Sequence, residues 1–209
     1  MASAKEIRGQ IKATQNTSKI TKAMEMVAAS KMRKAQNAVT SSRAYAEGIN
    51  TIMANLVQAH PEYKHAFLTP REEVKRVAYI VVSSDKGLCG GLNTNVFKHA
   101  LTSMKKVQET AEVEVLSIGK RAGLFMKRVA PLAASAEDVN DQPQLSEILP
   151  IVALAAEKFI SGDYDEVRLV FNTFVNTMTQ TPTEVTLIPC PEPEVESRSG
   201  YWDYLYEPD

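Results

Sequence analysis

The sequence predicts an α/β protein from whose start a long helix projects, and three observations carry that prediction. From Ala4 to about Gln58 there is no proline and no glycine besides Gly9 and Gly48, in a stretch dominated by Ala, Lys, Met, Gln and Glu. Beyond Val74 short apolar runs alternate with amphipathic segments, the pattern of strands covered by helices on both faces. Of the 209 residues 44% are hydrophobic and 23% charged, which excludes wholesale disorder, a collagen-like chain and a disulfide scaffold.

The first helix, at ~1.5 Å per residue, would reach about 80 Å, beyond what one compact core covers, so it must project. Stepping by four and three from Ala28 gives Met32, Ala35, Val39, Ser42, Ala46, Ile49, Met53 and Leu56, an apolar seam of coiled-coil spacing that requires a partner helix. Upstream the register reads Ile7, Ile11, Thr14, Ser18, Thr21 and Glu25, while Ile20, Met24 and Val27 open a second stripe, so this part is expected to meet a different surface. Pro61 and Pro70 mark residues 60–74 as a connector. There follow a buried-strand pattern at Val77–Ser83, an amphipathic helix at Asn95–Gln108, a strand at Val113–Ile118 and a short helix at Ala122–Val129. A helix at Leu145–Ile160, whose start Ser146 and Pro150 locate only loosely, precedes strands at Val167–Val175 and Val185–Ile188. The sheet is expected to be largely parallel. The resulting division is a shaft at 1–60, a connector at 61–74, an α/β domain at 75–190 and an acidic, aromatic segment at 191–209.

Charge is distributed unevenly. Residues 1–60 hold nine Lys and Arg against three acids, the remainder 15 against 22. Such asymmetry points to partners rather than to a fold. No stretch approaches the ~18 unbroken apolar residues of a membrane span, and charge comes too early at the start for a signal peptide, so a soluble chain is expected. Cys89 and Cys190 form no CxxC pair, which argues for a reducing compartment and against zinc.

Candidate chemistry is sparse. The loop Ser83–Asn93 (SSDKGLCGGLN) follows a strand and opens a helix, where α/β folds often hold phosphate. It lacks both GxGxxG and GxxxxGK[ST], and a turn whose glycines permit positive φ and close packing is the better account. Cys89 reads as a buried bystander thiol, since His99 is the only histidine nearby. Gly119–Gly123 reads as a solvated turn. Asp138, Asp141 and Glu147 lack ligand spacing, and His60 and His65 have no acid–base constellation around them. No catalytic, cofactor-binding or metal-binding residue is expected. The basic helix is more informative: Lys19, Lys22, Lys31, Arg33 and Lys34 interleave with Met24, Met26, Val27 and Met32 around Ala28, Ala29 and Ser30. This is a smooth, one-sided, adaptable surface suited to several partner geometries. The absence of interleaved aromatics counts against nucleic acid.

Three stretches in order, Ile20–Ala35 (ITKAMEMVAASKMRKA), Ser83–Asn93 and Trp202–Asp209 (WDYLYEPD), resemble the gamma-subunit family of F-type ATP synthase, in its bacterial form because no transit peptide precedes Met1. The resemblance implies a rotor: the N-terminal helix is half of an antiparallel coiled coil inside a ring of alpha and beta subunits, with a Rossmann-like α/β/α domain beside it. It implies a non-catalytic chain without cofactor that couples proton-driven c-ring rotation to ATP synthesis and regulates ATPase activity. By matching position, Lys19, Lys22, Met24 and Lys31 would lie near the acidic moving segment of the beta subunits. Ser41, Arg43, Tyr45 and Glu47, with Tyr204, Tyr206 and Glu207, would face the c-ring and the epsilon subunit. Membrane association would be through the complex only, on the cytoplasmic face of the bacterial inner membrane. The family continues past YEPD into a long C-terminal helix, so a truncated chain is expected, its seam from Ala28 to Leu56 lacking a partner and its helix fraying, self-associating or binding elsewhere. The alternatives are a small nucleotide-binding α/β protein using Ser83–Asn93 and a nucleic-acid-binding module using the basic helix.

Overall fold

The computed structural model describes residues 3–59, 65–139 and 143–190, without the side chains of residues 50 and 53–59. Tyr204, Tyr206, Glu207, His60 and Asp141 lie outside the described residues, as do the side chains of Met53 and Leu56. The chain divides between Thr51 and Ile52 into a helical unit and an α/β unit.

Helix α1 spans Ala4–Ala59, 56 residues without a proline. Ser3 opens it, its carbonyl and Oγ both accepting from the Glu6 amide, at 2.9 and 3.4 Å. Glu6 sits in the first turn, where a carboxylate complements the exposed amides.

The α/β unit runs β1 (Arg76–Val82), α2 (Leu92–Val107), β2 (Glu112–Ile118), α3 (Lys120–Met126), β3 (Leu132–Ala136), α4 (Leu145–Ser161), β4 (Glu166–Phe174) and β5 (Gln180–Ile188). The sheet order is β3-β2-β1-β4-β5. All pairings are parallel except the last, where β4 and β5 form an antiparallel hairpin. Alternation along β1 divides the core. Val77, Tyr79 and Val81 face a cluster with Val96, Met104 and Met126 of α2 and α3, while Ala78 and Ile80 face Ile151, Ala155 and Phe159 of α4. Burying each such side chain contributes about 1.5–3 kcal/mol, which is why the sequence VAYIVV carries no polar face.

Three features depart from expectation. Strand β3 was not foreseen: its sequence LAASA has no β-branched residue, and only pairing with β2 makes it a strand. Strand β5 begins at Gln180, not Val185, because Pro182 is tolerated on an edge strand. Helix α4 starts sharply, with a capping box in which the Gln144 amide donates to Glu147 Oε2 at 2.9 Å and the Glu147 amide returns to the Gln144 side chain. Part of the connector also packs: Phe67 lies 6.0 Å from Phe159, and the Arg71 guanidinium donates to the Phe159 carbonyl at 3.0 Å.

Candidate functional site

Every described side chain that the sequence marks as a shaft contact is exposed on α1: Lys19, Lys22, Met24 and Lys31, the seam residues Ala28, Met32, Ala35, Val39, Ala46 and Ile49, and Ser41, Arg43, Tyr45 and Glu47. At about 100° per residue the seam from Ala28 to Ile49 stays within roughly 100° over some six turns, drifting as a seven-residue repeat does. Lys19 and Lys22 fall within about 60° of each other, whereas Met24 and Lys31 share a face roughly 120–180° away from them. The helix is therefore basic on more than one side, not one-sided as its composition led us to expect. Ser41 and Tyr45 lie on one face, Arg43 and Glu47 on the opposite one. Tyr45 is 73% exposed.

Six hydroxyls of α1 bond back to the helix's own backbone. Thr14, Thr17, Thr21, Thr40, Ser41 and Thr51 each donate to the carbonyl four residues earlier, at 2.9 to 3.1 Å. At Thr14 and Thr21, which continue the seam upstream, this leaves the methyl group outward. A stretch that sequence marks as polar thus extends the apolar surface of Ile7 and Ile11.

The loop after β1 has its polar groups committed internally. The Ser83 Oγ accepts from the Ala122 amide at 2.7 Å, and Asp85 Oδ1 accepts from the Lys120 amide at 2.7 Å. The protein's own carboxylate thus occupies the start of α3. Asn93 accepts from the Ser84 amide at 3.2 Å and donates to Ser84 Oγ at 2.8 Å and to Cys89 Sγ at 3.3 Å. Ser84 Oγ in turn donates to the Lys86 carbonyl at 2.6 Å. Gly87 lets the Arg121 guanidinium lie against the backbone, where a Cβ would stand 2.7 Å from Nη2. Positive φ falls on Gly90 (60°) and, unexpectedly, on Leu88 (61°), whose side chain is 95% exposed. Cys89 is half-buried rather than buried. Neither the groove along α1 nor that on α2 and α3 includes a residue of this loop. Gly119, expected in a solvated turn, instead packs on β1: its Cβ would stand 2.2 Å from the Ser83 carbonyl oxygen. No group of metal-ligating side chains occurs among the described residues, and none of their helices is long and apolar enough to cross a membrane.

Two charged networks were missed in the sequence. Arg168 on β4 donates to Glu166 through Nε at 2.8 Å and Nη2 at 3.2 Å, and to Glu184 of β5 through Nη1 at 3.0 Å. Ser103 of α2 donates to Glu184 at 2.9 Å and bonds the Tyr79 hydroxyl at 2.8 Å. Burial opposes the guanidinium charge, but the bonds to Glu166 and Glu184 hold its pKa above the ordinary arginine value. On the other face Lys158 donates to Glu114 at 2.8 Å, and the Tyr164 hydroxyl donates to the same oxygen. Burial and then the bond to Glu114 push Tyr164 up to about 12. Burial would raise Glu114, yet the Lys158 and Tyr164 bonds hold it below 4.5. The one signal in the sequence was a charge, Arg168, inside the apolar run VRLVF. Both networks fasten strands and helices of the domain.

A family model described as ATP synthase matches residues 3–209. The chain is 44% identical over 211 aligned residues to the ATP synthase gamma chain of Xanthomonas oryzae pv. oryzae, covering 100% of this chain and 74% of that one. The gamma chain of Stenotrophomonas maltophilia gives the same identity and coverage. Among solved structures it is similar to a chain of the Tetrahymena thermophila mitochondrial ATP synthase central stalk and c-ring, with a TM-score of 0.61 and 26% identity over 81% of this chain and 72% of that one.

Proposed function

The chain belongs to the ATP synthase gamma-chain family, and on that footing we propose that it is the central-stalk rotor: it turns with the c-ring, couples proton flow to ATP synthesis in the alpha and beta ring, regulates ATPase activity there, and catalyses nothing itself. The observation that carries this reading is a helix of 56 residues whose apolar side chains are bare: Ile20 is 61% exposed, Val27 57%, Met24 52% and Met32 45%. A helix apolar on several faces requires cover on several faces. In this reading a partner helix takes the seam, and the surrounding ring takes the rest.

A shaft enclosed by a ring is touched on all sides, so Lys19 and Lys22 need not share a face with Met24 and Lys31 to serve as contacts. A rotor biases each catalytic site only through contacts that differ between its conformations. Hydrated lysine charges attract an acidic segment at range without the fixed geometry of bidentate pairs, so the surface slides. Hydroxyls bonded back to the helix remove further directional bonds that would have to break on each step. At the foot, Ser41, Arg43, Tyr45 and Glu47, with Tyr204, Tyr206 and Glu207, are assigned to the c-ring and epsilon subunit, the aromatic side chains serving as anchors. Attachment to the cytoplasmic face of the bacterial inner membrane is through the complex.

The test is recovery of the native chain from its source membranes under mild detergent, with mass spectrometry of the companions. Alpha, beta, epsilon and c chains in fixed stoichiometry are expected; a chain that runs free of them refutes the proposal.

A further inference from the structure

Helices α2 and α3 together cover one face of the sheet. With Lys127 and Arg128 closing α3, they carry seven Lys and Arg and no Asp or Glu, although residues 75–190 hold 12 Lys and Arg against 13 acids. All seven cations are exposed, and none has an ion-pair partner among the described residues. A recess of about 450 Å³ opens within this face, lined by Phe97, Lys98, Leu101, Thr102 and Lys105 of α2 and by Phe125 of α3. Its floor is apolar: the Phe97 and Phe125 rings stack at 4.7 Å and 9°, and Phe97 is buried. At about 100° per residue Lys98, Leu101 and Lys105 fall within roughly 60° of one another, so the two lysines stand about 10 Å apart along α2 with an apolar gap between them.

We propose that this face docks an acidic amphipathic helix of another protein chain, one that presents two carboxylates seven residues apart and an apolar side chain between them. Charge fixes the sign of the partner, because cations that have no acid beside them attract an anionic surface at range and repel a basic one. The recess fixes its form. A flat anionic membrane or a plain polyanion would neutralise the lysines and leave the recess unfilled, whereas a helix laid along α2 inserts a side chain into it. Acids seven apart on such a helix rise by the same ~10 Å as Lys98 to Lys105, so both pairs form in one register. Nucleic acid fits less well, since Phe97 is buried and one face of Phe125 is already stacked on it. Exposed ion pairs contribute little each, so the inserted side chain anchors the helix and the charges orient it.

The test places a photoreactive benzophenone side chain at Thr102, exposed on the rim of the recess, in the full chain within cells of its source. Ultraviolet light should join it to one peptide of another chain, and mass spectrometry should find in that peptide two acids seven apart with an apolar residue between them. At the salt concentration that halves the adduct, Lys98→Glu, Lys105→Glu should lower the docked-to-free ratio roughly tenfold, as two exposed ion pairs become repulsions, and leave about a fifth of the remaining adduct. The pair Lys98→Arg, Lys105→Arg keeps the adduct, and so does the same charge change placed on α1 as Lys5→Glu, Lys12→Glu. An adduct with phospholipid, with nucleic acid, with a second copy of this chain or within the same chain overturns the proposal. So does a partner peptide that lacks the paired acids, an adduct that charge reversal leaves unchanged, or no adduct at all.

Discussion

Replacing Gly119 by alanine tests how closely β1 and the start of α3 are joined. Gly119 has φ 94° and ψ 136°, a conformation that favours glycine, and a Cβ there would stand 2.2 Å from the Ser83 carbonyl oxygen and 2.9 Å from Ser83 Oγ. The obstacle is backbone, so no side chain can swing away. Strain alone costs about 1–3 kcal/mol. Relief requires Ser83 and Gly119 to separate, which endangers three bonds: Ser83 amide to Ile118 at 2.8 Å, Gly119 amide to Ala136 at 2.8 Å, and Ala122 amide to Ser83 Oγ at 2.7 Å. Losing two of them at ~0.5–1.5 kcal/mol each brings the total to about 2–6 kcal/mol. That is a substantial part of the ~5–15 kcal/mol that holds a typical domain together. Gly162→Ala separates strain from collision, since Gly162 has φ 83° but nothing within 4 Å of its Cβ, and it should cost only about 1 kcal/mol. Urea unfolding followed by near-ultraviolet circular dichroism reports the tyrosines packed in the domain, Tyr79 and Tyr164, rather than α1. A cost for Gly119→Ala below about 1 kcal/mol, or no greater than that of Gly162→Ala, would refute the packing account.

Further expectations concern the polar networks and the exposed loop. Glu114 is held below its usual 4.5, so its contribution is present above that pH and lost as the solution is acidified; Glu114→Gln should flatten the acid limb of an unfolding-against-pH curve, by about 1 kcal/mol at neutral pH for so exposed a network. Tyr164 is raised from 10.0 to about 12, so its contribution is complete below pH 10 and lost between there and about 12; Tyr164→Phe should remove that alkaline limb in the same titration. Arg168→Met strands Glu166 and Glu184, whose side chains are 13% and 18% exposed, and should lower the urea midpoint by the equivalent of about 2–3 kcal/mol; hydrogen exchange should locate the loosening in β5. Leu88→Asn relieves a leucine at φ 61° with no packing to lose, so thermal unfolding should show no loss and a gain of up to about 1 kcal/mol.

What sequence could disclose depended on whether a residue's role is local. Proline-free composition gives α1, and its seam follows from spacing, because a helix fixes which residues share a face. The run VAYIVV announces a central strand since both its faces are buried. LAASA announces nothing: small residues form β3 only because β2 offers a free edge. Gln180–Glu184 reads as a loop until its pairing with Phe174–Val170 is seen. The partnership of Arg168 with Glu184 spans 16 residues and that of Lys158 with Glu114 spans 44, so neither is a spacing motif. Leu88 was hidden by its neighbours, because three nearby glycines drew the expectation of positive φ that one of them shares with a leucine.

The sheet order has a consequence for synthesis. Strand β1 is translated before every other strand, yet it lies at the centre, between β2 and β4. Its first neighbour begins at Glu112 and its second at Glu166. At ~5–20 residues per second, the ribosome delivers the second neighbour roughly 5–20 s after β1 has been made. For that interval VAYIVV is an apolar run with an unpaired edge, the kind of segment that seeds aggregates. The α1 helix made before it offers no shelter from its own exposed apolar faces. Newborn chains of this protein therefore place their greatest demand on ribosome-associated chaperones between residues 82 and 166, and translation that pauses in this window should cost yield even where the finished fold is unaltered.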